Sequence, residues 1–189
     1  MKNKPLIIFC GLSGSGKSFN SRILESKLED YVRINLGILR EKLSITNYSR
    51  KDTPKLLAMA IQQIEDYHQN EKGSILDANL KSVDLRQCFY DLAKSLGKEV
   101  ILVETVCSDE TATGRMNRRK QKNESEDPKE AKIYFNQKKV WQDTLIDLEE
   151  NHHLSVIRFN TEKEKVNFIK GKTKNNFLIN NIINILENR

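Results

Sequence analysis

Eight consecutive residues, Gly11-Leu12-Ser13-Gly14-Ser15-Gly16-Lys17-Ser18, follow the spacing G-x-x-x-x-G-K-[ST]. Glycines at these intervals let the backbone wrap a polyphosphate with its N–H groups turned inward. Lys17 then reaches the outer phosphates, and Ser18 offers its hydroxyl to Mg²⁺. A plain glycine-rich turn would not need Lys-Ser at its end. The expected nucleotide contacts are Gly11, Ser13, Gly14, Ser15, Gly16, Lys17, Ser18 and Phe19, joined by Arg115 and Arg119 further along the chain, with Ser18 as the metal ligand. The ligands expected from the loop alone are a nucleotide and Mg²⁺, with no residue pattern that chooses adenine over guanine.

Further along the chain, other side chains suit phosphoryl transfer. Asp77 closes an apolar run, with Asn79 two residues on. A carboxylate there would support Mg²⁺ or position a substrate-binding group, and a helix cap or turn aspartate is the alternative. Arg115 and Arg119 are four apart and share a helix face, with Arg118, Lys120 and Lys122 adding charge. A basic lid over the transferring phosphate would stabilise developing charge and exclude water; a solvated basic helix is the alternative. Arg40 could fork onto an acceptor phosphate, or pair with a neighbour on a surface helix. His68, His152 and His153 fall at no metal-ligand spacing.

The elements that must hold these residues can be read from periodicity. Leu6 to Cys10 is a short apolar strand that ends where the glycine loop begins. Phe19, Ile23, Leu24 and Leu28 then recur at helical spacing, so the bound phosphates meet a helix N-terminus. Tyr31–Asn35, Ser74–Asp77, Val100–Val103 and Ser155–Phe159 read as further strands. Between them lie helices starting at Thr53-Pro54 and stopping at Gly73, and running from Val83 to Leu96 before Gly97. Ser108-Asp109 opens another, a helix carries Tyr134, Val140, Trp141, Leu145 and Leu148, and one closes the tail. The fold class is therefore α/β, a P-loop NTPase with a five-stranded, mainly parallel sheet flanked by helices and a basic helical lid at about 109–132. Ligands of such sheets sit at the carboxyl ends of the strands, where the loop, Asn35 to Arg40 and Asp77 all fall.

A chain of 189 residues is expected to form one domain, 1–189, with its own core. The formal charge of +6 is compatible with a polyanionic partner, and equally with lysines on solvated helices. Cys10, Cys88 and Cys107 lie in apolar segments with no C-x-x-C spacing, and are expected to be buried free thiols. The apolar run after Lys2 and Lys4 is too short for a leader, and none is long enough to span a membrane. These features suit the cytoplasm and no membrane partner; they do not speak to oligomeric state.

Taken together, the motifs resemble the phage-type polynucleotide kinase family, with zeta-toxin-like and seryl-tRNA kinase relatives, and more broadly an AAA-type ATP-binding domain. The resemblance spans roughly residues 6 to 145. It rests on the loop, on Arg40 of an Asp-x-x-Arg element, on Asp77-Ala78-Asn79 for Asp-x-Asn, and on the arginine-rich stretch from Arg115 to Arg119. It implies an ATP-dependent phosphotransferase that moves the γ-phosphate to a hydroxyl of a nucleic acid, at an RNA or DNA 5′ end, or of a nucleotide-like acceptor. The roles it implies are Lys17, Arg40, Asp77 and Arg119 in catalysis, with Asp77 orienting Arg40 and Arg119 clamping the donor. One position departs from it. The family's general base, the Asp of Asp-x-x-Arg, is Gly37 here. Glycine takes up no proton, so the base would be another carboxylate (Glu41, Asp52 or Asp84), or the acceptor needs little proton abstraction. Two other functions stay open: a kinase of a small nucleotide-sugar acceptor, and an ATP-binding or hydrolysing regulatory module.

Overall fold

Aliphatic runs buried on both faces make the middle of a parallel sheet. A computed structural model describes residues 4–45, 50–122, 131–171 and 176–188. The strands are β1 (Leu6–Cys10), β2 (Tyr31–Asn35), β3 (Gly73–Asp77), β4 (Val100–Val106), β5 (Leu154–Asn160) and β6 (Lys165–Gly171). The helices are α1 (Lys17–Lys27), α2 (Leu36–Lys42), α3 (Thr53–Gln69), α4 (Val83–Ser95), α5 (Asp109–Lys122), α6 (Lys132–Lys138), α7 (Asp147–Glu150) and α8 (Asn176–Glu187). Among the described residues the strands form one six-stranded sheet in the order β2-β3-β1-β4-β5-β6. All pairs are parallel except β5–β6.

The sixth strand corrects the expectation of five. It is a mostly exposed edge strand in a lysine-rich stretch, so it lacks the apolar run that marks the inner strands. One face of the sheet packs Leu6, Ile8, Leu76, Leu102 and Val156 against α2, α3 and α4. The other packs Ile7, Phe9, Ile75, Val103 and Ile157 against α1 and α8. This alternation decides which side of the sheet each residue at the carboxyl edge serves.

Three further expectations change. The apolar stretch from Tyr134 to Leu148 is two short helices rather than one. Between them Gln142 donates its N–H to the Lys81 carbonyl, its side chain accepts from the Val83 amide, and Thr144 reaches Glu104, so tertiary bonds replace a helical turn. Cys88 is exposed, because α4 turns Arg86, Phe89, Tyr90 and Ala93 inward and Cys88 falls off that face. Gly73 opens β3 instead of stopping the preceding helix, which ends at Gln69. Gly97 does close α4, at φ +62°.

Candidate nucleotide-binding site

The glycine loop joins the end of the central strand β1 to the start of α1. Two of its glycines are required by both backbone and space. Gly14 has φ +79°, and a Cβ there would strike the Ala112 carbonyl. Gly11 has φ +138°, and a Cβ would lie 2.5 Å from the Thr105 carbonyl oxygen. The loop is thus pressed against β4 and α5, which fix its shape before any ligand arrives.

Polar contacts from distant segments complete the support. The Ser15 hydroxyl shares a buried 2.7 Å hydrogen bond with Thr105, whose hydroxyl also donates to the Cys10 carbonyl at 3.2 Å. Thr161, just after β5, donates to the Ser15 carbonyl at 2.8 Å. Arg115 donates to the Thr161 hydroxyl at 2.8 Å and to the Gly14 carbonyl at 3.4 Å. Arg115 therefore lies on the loop. Arg119 is partly buried one turn further along the same helix. Of the expected basic stretch, residues 123–130 lie outside the described residues.

Lys17 opens α1, and its ammonium donates to the Leu12 carbonyl at 2.9 Å, folded back across the loop. Ser18 is on the same helical turn, and Ser13 and Ser15 are buried. Phe19 is 51% exposed, so it is not part of the apolar face of α1 that Leu24 and Leu28 form. The Cys10 thiol beneath the loop is fully enclosed, and burial pushes its pKa far up, so it is an inert thiol.

Asp77 ends β3, paired in register with Phe9 and Asn35 on its two sides. Its Oδ2 accepts from Arg33 Nη2 at 2.5 Å, Asn35 Nδ2 at 2.7 Å and Ser21 Oγ at 3.1 Å. The Arg33 and Asp77 side chains are only 6% and 1% exposed, so this is a buried pair. Asn35 also caps α2, accepting from the Ile38 amide at 3.0 Å. The cation brought to Asp77 is thus Arg33 of β2. Arg40 sits in the last turn of α2, partly buried. Gly37 falls in the first turn of α2.

Sequence reasoning missed Arg33, Ser21, Thr105, Thr161 and Gln137. Each acts through a partner far away in the chain, and none belongs to a local motif. The one available signal was Arg33 itself, a charged residue at an inward strand position level with Ile75. Opposite the α1 face, Glu104 of β4 accepts from Arg158 at 2.7 Å and from Thr144 at 2.8 Å.

Ser18 and Asp77 are the donors near the loop that suit Mg²⁺. No cluster of three His, Cys, Asp or Glu residues able to hold a metal occurs among the described residues.

A family model described as an AAA domain matches residues 6–140. The chain belongs to the AAA-domain family. The match runs from β1 through α6, and so includes the loop, Asp77 and Arg115. No curated protein matches. Among solved structures, Chaetomium thermophilum Kti12 in complex with ADP-AlF3 is 23% identical with a TM-score of 0.57, over 74% of this chain and 81% of that one. The PezAT toxin–antitoxin system of Streptococcus pneumoniae is 16% identical with a TM-score of 0.62, over 98% and 79%. Mycobacterium tuberculosis APS kinase CysC with AMPPNP and APS is 16% identical with a TM-score of 0.58, over 98% of both chains. At such identities the likeness bears on the fold alone, a mainly parallel sheet flanked by helices. No helix among the described residues is long and apolar enough to cross a membrane.

Proposed function

We propose that this AAA-domain protein is a Mg²⁺-dependent phosphotransferase that moves the γ-phosphate of ATP to a hydroxyl on a nucleic-acid end or nucleotide-like acceptor. The observation that carries the reading is the loop with φ-positive glycines, braced by Thr105 and Thr161 and crossed by Lys17. Such a loop presents fixed N–H groups to phosphate oxygens without reorganising when the ligand arrives. Lys17 swings from the Leu12 carbonyl to the β- and γ-phosphates. Mg²⁺, held by Ser18 and the phosphates, would neutralise charge on the transferring group. Arg115 steadies the loop, and Arg119 on the same helix face neutralises developing charge, with α5 serving as the lid. Asp77 and Arg33 form a fixed pair beside the loop, and Arg40 grips a phosphate of the acceptor.

Gly37 favours a second reading, an ATP-binding regulatory module, because it removes the side chain expected to accept the hydroxyl proton. A screen with γ-labelled ATP separates the two. Its arms are 5′-hydroxyl DNA and RNA, tRNA, nucleotide sugars and APS, the ligand of the CysC structure. Label on any acceptor that disappears in Lys17→Ala supports transfer. Label on a nucleotide sugar or APS alone moves the acceptor to the small-molecule class. Tight ATP binding with no labelled acceptor supports the regulatory module.

A further inference from the structure

Gln137 belongs to no motif, yet it touches the glycine loop directly. The Ser13 amide donates to Gln137 Oε1 at 3.1 Å, across 124 residues of chain. Ser13 is the third residue of the loop. Next to it is Leu12, whose carbonyl holds the Lys17 ammonium at 2.9 Å. Lys17 is the group that reaches for the outer phosphates, so the Leu12–Ser13 limb is the one those phosphates meet. Gln137 Oε1 therefore stands on a loop amide at the outer-phosphate end, where a phosphate oxygen would stand.

The helix that delivers Gln137 is anchored. Tyr134 of α6 is buried with Ala112 and Met116 of α5, and Leu12 of the loop packs against the same cluster. The Tyr134 hydroxyl donates to Asp109 at 2.7 Å, and Lys138 bonds both oxygens of that carboxylate at 2.6 and 2.7 Å. This clasp fixes the turn of α6 that carries Gln137.

We propose that Gln137 is a positioning residue for the terminal phosphate. Its Oε1 accepts from Ser13 when the loop is empty, and its Nε2 donates to the γ-phosphate when ATP is bound. A carboxamide carries an acceptor and two donors, and rotation about its last torsion is broad and nearly two-fold. The same side chain can thus bond an N–H in one state and an anionic oxygen in the other. The second bond is the stronger, because its acceptor is charged. ADP lacks the γ-phosphate and gains nothing from the turn. Gln137 is then what makes α6 respond to a triphosphate rather than a diphosphate.

This inference rests on the nucleotide-binding part of the functional reading and not on the acceptor. The test is calorimetric binding of ADP and of the imido triphosphate AMPPNP, both with Mg²⁺, to the full chain and to two variants. Gln137→Ala is expected to lower the preference for the triphosphate about tenfold, through weaker AMPPNP binding and little change for ADP. Gln137→Glu is expected to lower it further, because a carboxylate only accepts and repels the phosphate. Gln137→Asn, which keeps the amide but shortens its reach, serves if Gln137→Ala fails to fold, and is expected to shift the ratio the same way. An unchanged ratio in both Gln137→Ala and Gln137→Glu overturns the proposal. So does equal tightening of both nucleotides, which would make Gln137 a plug. A wild-type chain that binds neither nucleotide overturns the functional reading as well, whereas normal binding with an unchanged ratio overturns this inference alone.

Discussion

The glycine loop and the segment from α6 to α7 both place polar groups against the sheet and its helices, but by opposite means. The loop starts from its own residue types, and Thr105, Ala112 and Thr161 then hold the shape those types allow. Gly11 to Ser18 carry backbone geometry that their own residue types impose. The later segment does it with partners far away: Gln137 with Ser13, Thr144 with Glu104 40 residues off, and Asp147 with Arg86 61 residues off. The loop is specified by what its residues are. The segment is specified by what they meet, and those partners include the buried charges of Glu104 and Arg86, which cost much if left unpaired.

That contrast predicts its largest effect away from the loop. Arg86 and Asp147 are both fully buried, joined through Nε at 2.5 Å and Nη2 at 3.0 Å. Tyr90 donates to the same carboxylate at 2.7 Å, and Arg86 lies over the Trp141 ring at 5.9 Å. Burial opposes the Arg86 charge, yet its bond to Asp147 holds its pKa above the ordinary arginine value. Asp147→Ala strands that charge and is expected to cost about 3–5 kcal/mol of stability, read by denaturant unfolding. Replacing both partners with apolar residues of similar volume is expected to recover most of the loss. If Asp147→Ala unfolds like the wild type, the segment is not held by its buried pair.

The loop should show the reverse pattern, losing activity without losing stability. Lys17→Ala is expected to lower γ-phosphate transfer about 10²–10³-fold, as loss of one preorganised charge-stabilising donor does. Its melting temperature should stay near wild type, because Lys17 is only partly buried at the mouth of the loop and belongs to no core cluster. Retained turnover would remove Lys17 from the reaction.

The same division explains what could be read in advance. The strands flanking the loop, the cap at Ser108 and the stop at Gly97 are local patterns, and each is where periodicity and turn chemistry put it. β6 escaped because it is an edge strand, with no buried run to announce it. The break in the Tyr134–Leu148 stretch escaped because Gln142 and Thr144 leave the helix for partners on α4 and β4. Arg86 sits at a core position of an otherwise apolar helix face, a conflict that makes sense only with Asp147 in place. At the site, the motif puts Lys17 and Ser18 at the start of the first helix, where they lie, and gives no sign of Arg33. The carboxylate Arg33 serves is 44 residues away, on the next strand of the sheet.

A smaller effect concerns the acceptor side. Gly37→Asp is expected to raise transfer to a 5′-hydroxyl oligonucleotide up to about 10²-fold, the low end of what a general base supplies. The variant should fold, since an acid in the first turn of α2 suits the helix dipole. Unchanged transfer would show that the acceptor side departs from the polynucleotide-kinase pattern by more than one residue.

The smallest effect falls on the clasp that joins α6 to α5. Hydrogen bonds from Lys138 and then Tyr134 hold the Asp109 carboxyl below the usual aspartate range, against a lesser upward pull from desolvation. Its pKa is therefore lower in the folded chain than in the unfolded one. The clasp's contribution is fully present at neutral pH, begins to fade as pH drops below the ordinary value of about 3.9, and is gone once pH passes the depressed value. Both partners are well exposed, so the contribution is slight. Acid unfolding of the wild type compared with Asp109→Asn isolates it, because every other carboxylate is common to both. The two curves are expected to differ at neutral pH and converge in acid. Curves that keep a constant separation down to full protonation would mean that Asp109 acts through something other than its charge, and the clasp would then be a packing contact of Tyr134 rather than an ion pair.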